Sequence, residues 1–251
     1  MIIFRWAIWG KAYDACMLSQ SIATFQHFFG DKARYIVFTD AREYLLSRIL
    51  VAAEIYQFDQ APDPEYLDKG ATWQKWAPHC RLDSECSEFK VDADMFLLAD
   101  PIELRAFCDS SNRKQRFMAT MEHFRETWPY GNFGHRLPAD FTPINAGFIG
   151  QAQRADFSND LAAHYQWWKM NVTADMVKYH DEQGAIAMTL QPYIQRDEVL
   201  LLSPQRYRIV SPLNPLAPSE RDALVLLHAT YPEHPAFYDF LPEIKQISGI
   251  Q

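Results

Sequence analysis

The sequence lacks the motifs that mark several large classes of protein. Its 251 residues include four cysteines and nine glycines, with no Cys-x-x-Cys pair and no Gly-x-Gly-x-x-Gly segment. A zinc knuckle, a thioredoxin-like redox motif and the dinucleotide-binding fingerprint of an oxidoreductase are therefore excluded.

A basic surface and long apolar runs are also missing. The chain has 24 Lys and Arg residues against 32 Asp and Glu, a formal net charge of −8, and no cluster of Lys and Arg. This balance argues against nucleic acid or an anionic membrane as a partner. No apolar run reaches the ~18 residues of a membrane span, and the first strand-like run contains Arg5. We therefore predict no signal peptide, no transmembrane segment and a cytoplasmic location.

Hydrophobic periodicity in the first part of the chain predicts an α/β fold. Strand-like runs alternate with amphipathic segments, which is typical of a parallel sheet covered by helices. The predicted strands are 2–9, 34–39 and 52–58, and the predicted helices are 13–29 and 43–50.

The rest of the chain is less regular, and we predict one domain, 1–251. Predicted helices are 72–80, 153–170 and 180–190, and predicted strands are 88–98, 116–121, 144–150 and 223–228. Residues 126–142 are rich in Pro, Gly and aromatics and form a predicted loop. Long loops in compact domains are often lids, and Trp128, Tyr130 and Phe133 could close this one over a ligand.

The strongest chemical signal is the pair Asp92 and Asp94, at the end of a strand-like run. Two carboxylates so close together are unfavourable unless a cation is present. Oxygen ligands suit Mg²⁺ or Mn²⁺, which often share their remaining positions with phosphate oxygens. The alternative is a solvated pair of aspartates at a strand end.

The surroundings of this pair resemble the centre of GT-A glycosyltransferases, especially the glycogenin-like and lipopolysaccharide-galactosyltransferase-like branches. An aromatic, basic segment (Thr-Trp-Gln-Lys-Trp-Ala-Pro-His-Cys-Arg-Leu, 72–82) precedes Phe-Lys-Val-Asp-Ala-Asp-Met-Phe-Leu-Leu-Ala-Asp-Pro (89–101). Three further segments resemble family motifs in the same order: Pro-Ile-Asn-Ala-Gly-Phe-Ile-Gly (143–150), His-Asp-Glu-Gln-Gly-Ala-Ile (180–186) and Leu-His-Ala-Thr-Tyr (227–231).

This resemblance implies a GT-A fold, with a mainly parallel, mixed central sheet. It implies a Rossmann-like nucleotide-binding half (1–100) and an acceptor-binding, metal-completing half (101–251). It implies transfer of a sugar from a nucleoside-diphosphate sugar, with a UDP-sugar preferred, to a hydroxyl of a carbohydrate, glycolipid or protein. The implied cofactor is Mn²⁺ or Mg²⁺, held by Asp92, Asp94 and His228, with Asp92 also a candidate for a ribose contact. Both stereochemical outcomes stay open, with retention favoured.

Further candidate residues would bind the donor. Lys75 and Arg81 could reach the phosphates or the donor sugar, and Asn145 could bind sugar hydroxyls; the alternatives are solvated helix charges and a turn residue. Asp40 ends the second predicted strand, where ligands of parallel sheets bind, and could accept from ribose or base. Trp9 and Lys11, with Gly10 between them, would border the base.

The candidate catalytic residues are Asp181, Glu182 and Gln183. In the resembling families an acidic residue and a Gln lie beside the anomeric carbon, and Glu182 is preferred because it directly precedes the Gln. An inverting enzyme would use one of these acids as general base. The alternative is helix capping, since acids favour the first turn of a helix. The Gly-Lys pair that follows the metal-ligand His in these families is absent, so no diphosphate clamp is assigned.

Other functions remain as alternatives. A nucleotide-sugar pyrophosphorylase-like nucleotidyltransferase would share the fold, but it would carry a glycine-rich basic loop after the first strand, where this chain has only Gly10 and Lys11. A haloacid-dehalogenase-like phosphatase would carry Asp-x-Asp on its first strand. A non-catalytic nucleotide-sugar-binding protein of the same fold is the third alternative.

Overall fold

The computed structural model describes residues 1–10, 15–58, 72–76, 81–109, 114–230 and 234–250 of the protein. Its strands are β1 (Ile2–Ile8), β2 (Ala33–Thr39), β3 (Glu54–Gln57), β4 (Ser87–Val91), β5 (Met95–Leu97), β6 (Phe117–Met121), β7 (Ile144–Gln151), β8 (Val199–Leu202), β9 (Tyr207–Val210) and β10 (Leu226–Ala229). Its α-helices are α1 (Ala15–Phe29), α2 (Arg42–Leu46), α3 (Ile102–Asp109), α4 (Ser158–Asn171), α5 (Asp181–Gln195), α6 (Pro235–Asp239) and α7 (Leu241–Ser248).

Two sheets organise these elements. The larger one has seven strands in the order β3-β2-β1-β4-β7-β6-β8, with β1 to β4 parallel to one another and β7 antiparallel to both of its neighbours. The smaller sheet has the order β5-β10-β9. The predicted mixed α/β sheet is therefore confirmed.

The first helix shows how the sequence pattern produces the core. Its apolar face, which includes Leu18, Ile22 and Phe25, is fully buried. The ring of Phe25 packs against Phe4 of β1, with centroids 4.9 Å apart. The chain then leaves the helix through Gly30, whose φ of +50° lies in the left-handed region that favours glycine.

Several predicted boundaries need correction. The second helix ends at Leu46 instead of residue 50, and the helix at 153–170 begins only at Ser158. The helix predicted at 72–80 is a single 3₁₀ turn, Trp73–Trp76, with residues 77–80 outside the described part. The run 88–98 divides into β4 and β5, which belong to different sheets. The short strands β8 and β9 and the helices α6 and α7 were not predicted.

The predicted loop at 126–142 is anchored in the packed interior by four buried residues, Pro129, Tyr130, Phe133 and Gly134. It contains a 3₁₀ segment, Trp128–Arg136, kinked at Gly131 and packed on the start of α5. Tyr130 and Phe133 are fully buried, whereas Trp128 is 50% exposed. A lid that closes through Tyr130 and Phe133 is therefore wrong, because both rings already fill the core.

Within the described residues, we find no helix that is both long enough and apolar enough to cross a bilayer.

Candidate active site

The two aspartates lie where the chain passes from the large sheet to the small one. Asp92 follows β4, and its backbone N–H donates to the carbonyl of Gly147 on β7 (2.9 Å). Its own carbonyl accepts from Met95 (3.2 Å), which closes a turn. The carbonyl of Asp94 accepts from Ala229 of β10 (2.9 Å). The backbone of both aspartates is therefore fixed at the carboxyl end of β4.

His228 comes from β10 and completes a metal-capable cluster with Asp92 and Asp94. One ligand atom from each of the three residues lies within 4.8 Å of the other two, and Nε2 of His228 is 3.3 Å from Oδ1 of Asp94. Gly147 makes room for this imidazole, because a Cβ there would lie 2.6 Å from Cε1 of His228. The Asn-Ala-Gly segment of β7 thus brings the histidine close to the sheet.

Two lysines neutralise Asp92. Nζ of Lys75 lies 2.8 Å from one carboxylate oxygen, and Nζ of Lys90 contacts the other. Burial would raise the pKa of Asp92, but the two ammonium groups hold it below its usual value. Burial lowers the pKa of Lys90 to about 8 against the opposing attraction of Asp92. Lys90, which is only 3% exposed, was not among the predicted site residues.

Asp94 is held between two imidazoles. Nδ1 of His234 lies 3.4 Å from its second carboxylate oxygen and 2.6 Å from the carbonyl of Ala229. Burial would raise the pKa of Asp94, but His228 and His234 hold it well below its usual range. His234, which precedes α6, was also not predicted.

A second polar group, which we call the amide network, comprises Glu122, Asn145 and Gln183. Nδ2 of Asn145 donates to Oε2 of Glu122 (3.1 Å) and to Oε1 of Gln183 (3.0 Å). Nε2 of Gln183 donates to the same Glu122 oxygen (3.3 Å) and to the carbonyl of Pro129 (3.0 Å). Burial would raise the pKa of Glu122, but hydrogen bonds from His123 and Asn145 hold it below its usual value.

Asn145 and Gln183 are therefore hydrogen-bonded to each other, although the sequence predicts donor binding for the first and a catalytic role for the second. The structure adds Glu122, which sequence reasoning missed. Glu122 directly follows β6, just as Asp40 follows β2. The rule that selected Asp40, an acid at the carboxyl end of a strand, would have found it.

Asp181 and Glu182 are buried at 0% and 2% exposure. Asp181 accepts from Trp168 Nε1 (2.8 Å), from the backbone of Asn132 (2.6 Å) and from the backbone of Lys178 (2.9 Å). Both oxygens of Asp181 are therefore engaged by groups outside α5, and its role as a general base stays a prediction.

Glu182 has an anchoring position as well. One oxygen accepts from Trp76 Nε1 and the other from Thr72 Oγ1 (3.0 Å). Lys75 lies 3.9 Å from the second oxygen. The side chain ties the start of α5 to the 72–76 segment, and the preference for Glu182 as the base stays a prediction.

The remaining predicted donor residues fall into two groups. Asp40 accepts from the N–H of Gly10 (3.1 Å), while its buried Oδ1 has no hydrogen-bond partner among the described residues. Half-buried Trp9 lies beside that glycine. Arg81 donates to the carbonyls of Ala155 and Cys86, and its role in donor binding stays a prediction. Lys11 lies outside the described residues.

The seven-stranded mixed sheet flanked by helices has the GT-A type of fold. Solved structures similar to this chain over nearly its whole length are glycosyltransferases. They include the galactosyltransferase LgtC in complex with donor and acceptor sugar analogues (TM-score 0.61, 14% identity, covering 98% of this chain and 95% of that one). Mouse xyloside xylosyltransferase 1 (0.52, 12%, 90% and 96%) and the glycosyltransferase GlyE of Streptococcus pneumoniae (0.53, 11%, 99% and 60%) are also similar.

No family model and no curated protein sequence matches the chain. At these identities the structural similarity establishes the fold. The particular reaction has to be argued from the site.

Proposed function

We propose that the protein is a divalent-metal-dependent glycosyltransferase that transfers a sugar from a nucleoside-diphosphate sugar, preferably a UDP-sugar, to an acceptor hydroxyl. The observation that supports this most is the position of the metal-capable cluster directly beside the amide network. Asp92 and Gln183 contact adjacent residues of β7, through the Gly147 carbonyl and the Ala146 N–H (3.1 Å). A charge-binding site thus adjoins a group of hydroxyl-binding amides.

The ligand set of two carboxylates and an imidazole suits Mn²⁺ or Mg²⁺, and the nitrogen of His228 favours Mn²⁺. Ligands on an octahedral ion lie about 3 to 4.4 Å from one another, so the 4.8 Å span needs only a small closure. When bound, the metal supplies Lewis-acid stabilisation of the charge that develops on the leaving diphosphate. Asp94 and His228 would hold it, and Asp92 would share its oxygens between metal and lysines.

The two halves of the chain would divide the donor between them. Asp40, with its buried unpartnered Oδ1 at the carboxyl end of β2, is suited to accept from ribose or base. Lys75, already directed at Asp92, would donate to a diphosphate oxygen. The C-terminal half would supply the amide network for the sugar hydroxyls and His228 for the metal.

The contacts of Asp181 and Glu182 favour retention of the anomeric configuration. Inversion needs a carboxylate that is free to take the proton of the acceptor, and both of these are buried and engaged. Gln183 would then flank the reacting face of the sugar. The configuration of the product, read by NMR during early turnover, tests this assignment.

A two-part screen of the wild-type protein tests the proposed function. Nucleoside diphosphates with Mn²⁺ should raise the melting temperature, with UDP the most effective, and at least one UDP-sugar should be hydrolysed only when metal is present. A protein that neither is stabilised by any nucleotide nor hydrolyses any nucleotide sugar would contradict the proposal.

A further inference from the structure

Four aromatic side chains form a row beside the amide network. In spatial order they are Phe124, Trp128, His180 and Tyr179. Neighbouring ring centroids are 4.9, 5.6 and 5.0 Å apart, and the rings meet at 57° to 89°. Trp128 is 50% exposed and Tyr179 is 55% exposed, so both large rings present surface to solvent.

The chain connections of this aromatic row place it at the candidate site. Trp128 precedes Pro129, whose carbonyl accepts from Gln183. His180 lies directly before the helix α5 that carries Gln183. Phe124 belongs to the turn after β6, where its N–H faces Oε1 of Glu122 (3.5 Å). Three of the four rings therefore belong to residues that are close in sequence to residues of the amide network or to their hydrogen-bond partners.

Tyr179 ends the row, with its ring packed against His180 and 55% of the residue exposed. Burial of its hydroxyl raises the pKa of Tyr179, and the carboxylates of Asp94 and Asp92 add to that rise while Lys75 opposes it. Tyr179 thus combines an exposed aromatic surface with a partly buried hydroxyl.

Exposed aromatic rings next to convergent polar groups suit a particular kind of ligand. Tyr and Trp combine a large apolar surface with a polar end, and small-molecule sites pair such surfaces with a few placed hydrogen-bonding groups. A pyranose has the matching chemistry, because its C–H faces are apolar and its rim carries hydroxyls. A lipid tail carries no hydroxyl groups for the amide network to bind, and a peptide serine has little apolar surface to pack on the rings.

We propose that the aromatic row is the acceptor subsite and that the acceptor is a carbohydrate whose ring packs on Trp128 and Tyr179. This inference rests on the proposed glycosyltransferase function and narrows its acceptor to one chemical class. The acceptor hydroxyl would then be directed towards Gln183.

The test compares Trp128→Ala and Tyr179→Ala with Trp128→Phe and Tyr179→Phe. Tyr56→Ala serves as the matched control, because Tyr56 is 44% exposed on β3, three strands away from β4. Three quantities are measured: UDP-sugar hydrolysis without acceptor, KM for transfer to a panel of methyl glycosides, and glycoside binding by saturation-transfer NMR.

We expect each Ala variant to raise the acceptor KM at least about fivefold, because a lost aromatic contact has roughly that effect. The saturation-transfer signal should weaken in parallel. Hydrolysis and UDP affinity should stay within about twofold, the Phe variants should recover most of the loss, and Tyr56→Ala should behave as wild type.

Unchanged KM and unchanged glycoside signal in both Ala variants would overturn the inference. An equal fall in UDP affinity would also overturn it, since the rings would then contact the donor. If the wild type binds glycosides through Trp128 but turns over no nucleotide sugar, the proposed function fails while the carbohydrate subsite stands.

Discussion

On β4 the two oxygens of Asp92 contact two ammonium groups, whereas on β7 the amide of Asn145 contacts a carboxylate and a second amide. The first region is stabilised by opposite charges, which attract over a distance and tolerate movement. The second depends on directional hydrogen bonds, each of which needs its partner in place. The comparison indicates that the metal-capable cluster can rearrange around a ligand, while the amide network is pre-organised.

The largest effect on stability should come from Asp181, the first residue of the helix that carries Gln183 of the amide network. Asp181→Ala leaves the buried indole of Trp168 and the backbone N–H groups of Asn132 and Lys178 without their acceptor. We expect a loss of about 3 kcal/mol or more in the free energy of unfolding, measured by urea denaturation. Asp222→Ala, at an exposed position, is the control.

A catalytic base at this position would give the opposite pattern. Stability would then be nearly unchanged, and kcat would fall by orders of magnitude in a fully folded variant. That result would support Asp181 as a general base and would contradict its role as a structural anchor.

A second prediction concerns Glu122 and the pH dependence of folding. Its pKa is lower in the folded state than in the unfolded chain, so its contribution is complete above the unfolded value of about 4.3 and is lost as pH falls through the folded value. Glu122→Gln should therefore flatten the loss of stability below about pH 4. Urea unfolding at pH 3, 4 and 6 measures this, and an unchanged acid slope would contradict it.

A smaller effect is expected at the metal-capable cluster. Lys90→Met removes a positive charge that contacts Asp92, so a cation should bind more tightly, by about tenfold. Titration with Mn²⁺ alone, followed by electron paramagnetic resonance, measures the affinity. Lys114→Met is the matched control, because Lys114 pairs with Asp197 at an exposed position. Weaker Mn²⁺ binding in Lys90→Met would show that Lys90 positions Asp92 for the metal instead of competing with it.

The two regions also differ in how far the sequence could predict them. Asp92, Asp94 and His228 stood in segments whose order resembles a known family, and the structure brings them together. Lys90 and Glu122 carried no motif, although a lysine within an apolar strand and an acid at a strand end were visible. The contacts of Asp181 could not be predicted, because Trp168 and Asn132 lie 13 and 49 residues away in the sequence and only the fold brings them to its carboxylate.

The secondary structure was predictable where the hydrophobic pattern extends over enough residues. The predicted bounds of α1 and of the first three strands lie within a few residues of the observed ones. Three of these four elements have seven or more residues. The strands β8 and β9 have four residues each, too few for alternation to stand out. The Pro and Gly residues of Trp128–Arg136 predict a loop, although two of the aromatic rings in this 3₁₀ segment are buried.

Asp94 tests the central claim most directly. Of the two aspartates in the metal-capable cluster, it is the one that no lysine among the described residues contacts. We would compare Asp94→Ala with Asp222→Ala, an exposed control, for Mn²⁺-dependent UDP binding and UDP-sugar turnover. The account predicts that Asp94→Ala stays folded and loses both, whereas Asp222→Ala keeps both. Normal Mn²⁺-dependent turnover in Asp94→Ala would contradict it.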